Sequence, residues 1–218
     1  MTIPTTKRRQ SEKTIAAIMD AATRLFVSSG YHGASIAAIS EAAHLTKGAL
    51  YSHFAGKSDL LLALIKKFER EFLDGLIASV GEARGGAVEK LHRFVSFSAG
   101  FAESNPELCL LLTTISTELG GCDGEVAAEL RRLYGKYAAF LETVIESGKE
   151  QGVFFQGFDT RCLAHTIIAV HDGVLLQWRR CRDFMDAEEF VRTFRRVLIQ
   201  GVGAGAREDG LGRKSEDN

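Results

Sequence analysis

The chain has few of the residues that mark metal sites and disulfide frameworks. Its four cysteines are Cys109, Cys122, Cys162 and Cys181. No two of them have the C-x-x-C spacing of a metal site, and their wide separation is unlike the dense pattern of a small disulfide scaffold. We therefore expect reduced thiols, no bound metal ion and no cofactor.

Long apolar runs and common catalytic motifs are also missing. No stretch approaches the roughly 18 to 20 consecutive apolar residues that a membrane span needs. The N-terminal "MTIPTTKRRQSEK" lacks the apolar segment of a signal peptide, and no G-x-S-x-G, H-E-x-x-H or P-loop motif occurs. We expect a cytoplasmic protein that does not associate with membranes and is not an enzyme.

Proline is scarce, whereas apolar residues recur every three or four positions along the chain. Only Pro4 and Pro106 interrupt the pattern, and this recurrence is the period of an amphipathic helix. It predicts an all-α fold. The expected helices span residues 11–30, 35–44, 46–54, 58–80, 87–104, 106–119, 123–151, 159–182 and 187–203.

Polar residues and one glycine mark several of these boundaries. Side-chain oxygens that can accept hydrogen bonds from exposed helix amides are expected at Ser11, Ser35, Thr46 and Ser58. Gly30 follows the first apolar stripe and suits a C-terminal residue with a positive φ.

The charges are distributed unevenly although the whole chain is nearly neutral. Residues 1–60 hold seven Lys and Arg against four Asp and Glu, whereas the remaining residues hold twenty against twenty-four. A basic N-terminal part is consistent with contact to phosphates.

The segment "HLTKGALYSHFAGKSDLLLAL" runs from His44 to Leu64. On a helix, Leu50 and Phe54 share a buried face because they are four residues apart. Lys47 and Tyr51, also four apart, point together to another side. Two short helices joined by a tight turn and followed by a long helix predict a helix-turn-helix.

The exposed side of this segment suits DNA. Gly48 and Ala49 add little bulk, so the backbone can approach a groove and the alanine methyl can touch a thymine methyl. Donors available to phosphates are Lys47, Tyr51, His53 and Lys57. The alternative is that Tyr51 and His53 pack against the long helix.

A longer match supports the DNA-binding interpretation. From Ala22 to Leu60 the sequence resembles the DNA-binding domain of the TetR/AcrR family of bacterial regulators. The resemblance rests on Leu25-Phe26, Gly30-Tyr31, Ser35-Ile36, Ile39, Ala43, "LTKGALYSHF" and "KSDLL". His44 stands where the family's turn usually carries glycine, which implies a small backbone strain.

The resemblance implies functional positions and a domain organisation. By resemblance the DNA-contacting positions are Ser35, Lys47, Gly48, Tyr51, His53 and Lys57, and we add Ala49 for its methyl group. Residues 1–57 are then a helix-turn-helix DNA-binding domain, and residues 58–203 are a helical domain for ligand binding and dimerisation. Residues 204–218, rich in glycine and charge, are predicted to be disordered.

Aromatic residues on the later helices predict a ligand pocket. Rings from several helices can leave a mostly apolar cavity with a few polar groups. The candidate walls are Phe97, Phe101, Thr114, Tyr137, His165 and Trp178. The alternative is that these aromatic rings fill a closed core.

The last helix carries an apolar stripe among charged residues. Its members are Phe190, Phe194, Val197 and Leu198. An exposed stripe of this size predicts a dimer interface, whereas the alternative is packing within its own subunit.

Together with the resemblance to the TetR/AcrR family, these patterns predict a repressor that binds a palindromic DNA operator as a homodimer and releases it when a small amphipathic or aromatic effector binds. Two alternatives stay open. One is a helical enzyme or metal-binding protein that uses His165 and Asp172, and the other is a DNA-binding regulator without a ligand.

Overall fold

The structure is a computed structural model that describes residues 6–205, with side chains from Arg8 onward. Ten α-helices and one π-helical turn, Glu69–Leu73, make up its regular structure. The helices are α1 (Thr6–Gly33), α2 (Ile36–Ala42), α3 (Lys47–Tyr51), α4 (Lys57–Phe68), α5 (Asp74–Gly81), α6 (Ala87–Ser104), α7 (Pro106–Leu119), α8 (Glu125–Glu150), α9 (Thr160–Cys181) and α10 (Ala187–Val202). Within residues 6–205 the only β-type pairing is an isolated bridge between Phe154 and Gly203. The predicted all-α fold is confirmed.

The caps of the two short helices form as the sequence predicts. The Ser35 hydroxyl oxygen accepts a hydrogen bond from the Ala38 amide at 3.1 Å, and that of Thr46 accepts one from the Ala49 amide at 3.1 Å. These bonds fix where α2 and α3 begin. Between the two helices His44 has a φ of +57°, so the expected backbone strain is present.

The first and fourth helices begin differently from the prediction. Helix α1 starts at Thr6, before the predicted cap at Ser11. Helix α4 starts at Lys57, and its N-cap is Gly56 without a side-chain hydrogen bond, so the prediction that Ser58 caps it is wrong. The Asp59 carboxylate reaches back to the Ala55 amide at 3.0 Å, which fixes this helix start instead.

The helix predicted over residues 58–80 is not uniform. Helix α4 passes into the π-helical turn, and α5 then continues to Gly81. A π-helical turn holds more residues than an α-helical one, so the faces of α4 and α5 are offset. Phe72 and Leu73, both within the turn, are almost completely buried.

The later helices match their predicted ranges closely, and one core joins them to the N-terminal helices. Buried apolar residues extend without interruption from Ile18 in α1 to Val202 in α10. The largest helix–helix contact in the described part is between α1 and α7. The N-terminal helices are therefore packed against the rest of the chain. The tail predicted to be disordered falls, from residue 206 onward, outside the described residues.

An ionic cluster braces the π-helical turn against α8. Lys136 Nζ donates to the Glu69 carboxylate at 2.7 Å and to Asp74 at 2.6 Å. Arg132 pairs with both Glu69 and Glu129. The hydrogen bonds from Arg132, with those from Lys136, hold the pKa of Glu69 at about 2.

This low pKa predicts how stability depends on pH. The ion pairs of Glu69 are fully present above its ordinary pKa of 4.5. They are lost as pH falls towards 2, because the native state must then accept a proton it disfavours. Glu69→Gln should therefore lower the melting temperature at pH 7 by a few degrees, given about 1 kcal/mol for a partly exposed network. The difference from wild type should vanish near pH 2.

The matched control is Glu71→Gln. Glu71 lies in the same turn but pairs only with its neighbour Arg70, so its substitution should change the melting temperature little. Thermal unfolding followed by circular dichroism between pH 2 and pH 7 measures both variants. Equal melting curves for Glu69→Gln and Glu71→Gln at pH 7 would contradict the bracing role.

Candidate functional site

The outer surface of α3 presents the residues that the sequence predicts for DNA. Lys47 and Gly48 are exposed, and Tyr51 is 54% exposed although it is a large aromatic residue. Leu50 and Phe54 are buried beneath them, as predicted. Tyr51 is therefore not buried against the long helix, whereas His53, the other residue of that alternative, is partly buried.

Gly48 is not required by packing inside the protein. A Cβ built at this position would meet only the Thr46 hydroxyl oxygen, at 3.9 Å, which is an ordinary contact. The backbone of Gly48 is helical, so no unusual φ requires glycine either. An unshielded backbone here therefore favours close approach by another molecule. Ala49 is partly exposed beside it.

Lys57 is turned inward, unlike the expectation. Its ammonium group donates to the carbonyl oxygen of Tyr31 at 2.6 Å and to that of Ala34 at 3.0 Å. It also lies 4.4 Å from the centre of the Tyr31 ring, a cation–π arrangement. Only one of its three N–H groups remains for a phosphate, and its main role here is to tie the start of α4 to the turn before α2. His53 is only partly exposed, and Ser35 is exposed while acting as a cap.

A carboxylate from α7 reaches the same turn from the other side. Glu118 accepts hydrogen bonds from the Tyr31 amide at 3.1 and 3.0 Å and from the His32 amide at 3.3 Å. Gly30, with a φ of +72°, makes this approach possible, because a Cβ there would lie 2.2 Å from a Glu118 oxygen. The turn between α1 and α2 is thus held by Glu118 on one side and by Lys57 on the other.

Aromatic rings fill the centre of the later helices. Phe72 lies among them, with ring centres 4.8 Å from Phe68, 5.2 Å from Phe101, 5.9 Å from His171 and 6.0 Å from Tyr137. Beside these rings is an inner cavity of about 20 Å³, which is room for one water molecule. The central rings therefore form a nearly closed core.

The inner cavity has polar groups on one side. Tyr134 donates to the Asp172 carboxylate at 3.2 Å, and Thr113 and His171 also line the cavity. Burial, followed by the charge of Asp172, raises the pKa of Tyr134 above its ordinary value. Burial likewise raises the pKa of Tyr137, so both phenols stay neutral.

The predicted ligand residues fall in three different environments. Tyr137 lines the inner cavity. Phe97 and Phe101 do not line it but pack against Phe72 at the edge of the core. Trp178 instead lines an open cleft of about 760 Å³ between α6, α9 and α10, hereafter the outer cleft. Thr114 and His165 line neither space.

His165 is exposed on α9, so its prediction as a pocket wall is wrong. The buried histidine is His171, which is 5% exposed and lines both the inner cavity and the outer cleft. It continues the buried stripe of Leu163, Ala164, Ile167 and Ile168 at helical spacing. This spacing was the signal in the sequence that identifies His171 and excludes His165.

The predicted dimer stripe is mostly used within its own subunit. Phe194 and Leu198 are each 8% exposed, and Phe190 packs on Trp178 with ring centres 5.5 Å apart. Phe194 and Leu198 correct the prediction because their side chains lie in the chain's own core, and Phe190 is partly covered by Trp178 of the same chain. Val197 is 61% exposed and is the member that faces outward.

The enzymatic alternative does not assemble. His165 points to solvent, whereas Asp172 turns inward to Tyr134. Among residues 6–205 no three His, Cys, Asp or Glu side chains group as metal ligands would. In the same part of the chain, no helix combines the length and apolar character of a membrane span.

Comparisons with known proteins agree with the geometry. Residues 18–64 match the family model described as bacterial regulatory proteins of the tetR family. Residues 87–194 match the one described as the Tetracyclin repressor-like C-terminal domain. These two matches cover the α1–α4 region and the body formed by α6 to α10.

Individual relatives span nearly the whole chain. The fatty acid metabolism regulator protein of Bacillus subtilis is 22% identical over 185 residues, which is 85% of this chain and 93% of that protein. The crystal structure of the MbdR regulator from Azoarcus sp. CIB has a TM-score of 0.79 and 28% identity, covering 87% of this chain and 98% of its own. The structure of FadR from Bacillus subtilis in complex with stearoyl-CoA has a TM-score of 0.71 and 22% identity, covering 86% and 98%.

The helix-turn-helix with its exposed α3, the helical body behind it and the two family matches lead to one identification. The chain belongs to the TetR family of bacterial regulatory proteins and is a DNA-binding transcriptional regulator.

Proposed function

We propose that this regulator is a repressor that binds a palindromic operator as a homodimer and leaves it when a small amphipathic ligand binds. The observation that carries the DNA-binding part is the bare outer surface of α3. There Lys47, Gly48 and Tyr51 lie exposed above a rigid apolar base. A helix of five residues reads few bases, so two copies are needed for useful specificity.

The domain division follows from this arrangement. We assign residues 1–57 to DNA binding and residues 58–203 to ligand binding and dimerisation. Because a regulator that binds operator DNA must meet that DNA inside the cell, we propose that the protein acts in the cytoplasm.

The ligand-responsive part is supported by relatives and by the outer cleft. The fatty acid regulator of Bacillus subtilis has been solved with stearoyl-CoA, so the same fold can hold an amphipathic molecule. The inner cavity by itself favours the ligandless alternative, because about 20 Å³ is too small for an organic ligand. The outer cleft has the size of a small-molecule site and favours a ligand.

Dimerisation is best supported by the outward faces of α9 and α10. Val170 and Val197 are 43% and 61% exposed, and small or uncharged residues accompany them. These companions are Ala169, Gly173, Thr193 and Gly201. Such a face lets a second copy approach closely, in agreement with an isologous interface.

Two routes connect the helical body to the DNA-reading end. One is α4, which begins at Lys57 and leads through the π-helical turn into the aromatic core. The other is the Glu118 contact from α7 to the turn after Gly30. A ligand shifts the reading end only if it binds the non-DNA conformation better, and a tenfold effect requires about 1.4 kcal/mol of such preference.

The first prediction tests the α3 surface. The double variant Lys47→Ala, Tyr51→Ala should fold normally but lose at least tenfold in operator affinity, since it removes two phosphate or groove contacts per subunit. The salt dependence of binding should also become shallower. Fluorescence anisotropy with a labelled operator, recovered by selection from random sequence, measures both effects.

The control for this experiment is Lys66→Ala. Lys66 is an exposed lysine on α4, away from α3, so the same loss of charge should leave affinity and salt slope near wild type. Wild-type affinity in the double variant would refute the α3 assignment.

The second prediction concerns the dimer. Val170→Asp with Val197→Asp should give a folded monomer with much weaker operator binding, because two like charges are buried at each symmetric contact. Light scattering gives the mass and circular dichroism the helix content. The control is Val153→Asp, at an exposed valine of the connector before α9, and it should stay dimeric. If the Val170→Asp, Val197→Asp variant is also dimeric, this face is not the interface.

The third prediction concerns the Glu118 contact. Glu118→Ala leaves the amides of Tyr31 and His32 without a partner, which should destabilise the protein by about 1–3 kcal/mol and lower operator affinity. Glu107→Ala, at the exposed start of α7, should do neither. Thermal unfolding and anisotropy report the two effects, and unchanged operator affinity in Glu118→Ala would show that the contact is structural only.

A further inference from the structure

The outer cleft has one apolar wall and several unpartnered polar groups. Its apolar wall consists of Val95, Val174, Leu175, Trp178, Phe190 and Phe194. Trp178 and Phe190 come from different helices and pack ring against ring, with centres 5.5 Å apart. Its volume of about 760 Å³ is within the usual range of small-molecule sites.

Buried polar atoms without hydrogen-bond partners concentrate in this cleft. In the described part of the chain there are five such side-chain atoms, and three belong to cleft residues, namely Ser98 Oγ, His171 Nδ1 and Arg195 Nε. His171 Nδ1 is 3.8 Å from the Asp172 carboxylate, too far for a hydrogen bond. Buried polar groups normally have partners, so these side chains give the cleft an unsatisfied polar side that suits a polar ligand.

Arg195 is the cation that such a ligand would meet. Its terminal Nη2 donates to Ser96 Oγ at 3.0 Å, but no described carboxylate lies within ion-pair distance of it. Arg192, one turn earlier on α10, is instead paired with Glu189. A guanidinium that is partly buried and lacks a counter-ion favours a carboxylate, which can accept two parallel hydrogen bonds from its nitrogen fork.

The other charges of the cleft limit the charge of the ligand. Glu103 and Glu188 also line it, and both would repel a polyphosphate or a dicarboxylate. Among the described residues, Arg195 is the one cleft guanidinium without an ion-pair partner, and Glu103 and Glu188 lie nearby. A ligand with a single negative charge therefore fits the cleft best.

We propose that the outer cleft is the effector site and that it takes an organic monocarboxylate with an apolar body. Arg195 holds the carboxylate, and the Trp178–Phe190 pair covers the body. This inference rests on the proposed function as a ligand-responsive regulator, and it names the ligand class and the residue that selects it.

Isothermal titration calorimetry on the full chain tests the proposal with matched probes. The probes are decanoate against decanamide and 2-naphthoate against 2-naphthamide, pairs that differ in charge but hardly in shape. At least one carboxylate should bind wild type about tenfold more tightly than its amide, as expected for hydrogen bonds to a charged group. Arg195→Met should remove this preference, and Arg195→Lys should restore part of it.

The control is Arg93→Met. Arg93 is an exposed arginine of α6 that does not line the cleft, so its loss should leave the carboxylate preference unchanged. If Arg195→Met does not fold, as judged by circular dichroism, the comparison of acid and amide on wild type still decides.

Three outcomes would overturn the proposal. They are no binding of either carboxylate at millimolar concentration, equal binding of acid and amide, and an undiminished preference in folded Arg195→Met. Operator binding is measured separately without any probe. Carboxylate binding without operator binding would refute the proposed repressor function and leave the ligand site standing.

Discussion

The Glu118 carboxylate accepts hydrogen bonds from the amides of Tyr31 and His32. The position of the DNA-reading end relative to the helical body depends on this contact. These amides follow a break in α1 at Gly30, so no helical carbonyl is available to them. The Tyr31 amide is partly buried, so leaving it without a partner would cost up to about 1–3 kcal/mol, and α7 supplies the acceptor for it and for the more exposed His32 amide. The DNA-reading end is therefore completed by a residue from the helical body.

Lys57 completes the same arrangement from the opposite direction. Its hydrogen bonds to the carbonyls of Tyr31 and Ala34 place the start of α4 beside the amides that Glu118 holds. The amide and the carbonyl of Tyr31 thus bind residues of two different helices. Movement of either α4 or α7 would disturb the turn from which α2, and then α3, begin.

Local patterns predicted most of the fold, because helix period and caps depend on residues three or four positions apart. The ranges of α6 and α7, the caps Ser35 and Thr46, and the buried pair Leu50 and Phe54 followed directly. The start of α4 did not, because the competing contact of Asp59 with Ala55 cannot be distinguished from a Ser58 cap by sequence alone. The π-helical turn also carries no local signature.

The site was predicted unevenly for a related reason. Exposure of Lys47 and Tyr51 follows from the face that they share on α3, whereas the inward turn of Lys57 depends on carbonyls more than twenty residues away. His165 was predicted to line the pocket, but His171 is the buried histidine. It lies on the face of α9 that Leu163 and Ile167 already define as buried. Phe190, Phe194 and Leu198 show that an apolar stripe alone does not tell whether its partner is the same chain or a second copy.

His171 and Leu175 line both the inner cavity and the outer cleft, so they form part of the partition between the two spaces. Side-chain rotamers change far more readily than helix positions. An apolar tail in the outer cleft could reach the phenylalanine rings only past these two side chains. For the effector proposed in the outer cleft, these two side chains, rather than the dimensions of the cleft alone, then limit how long the apolar body can be.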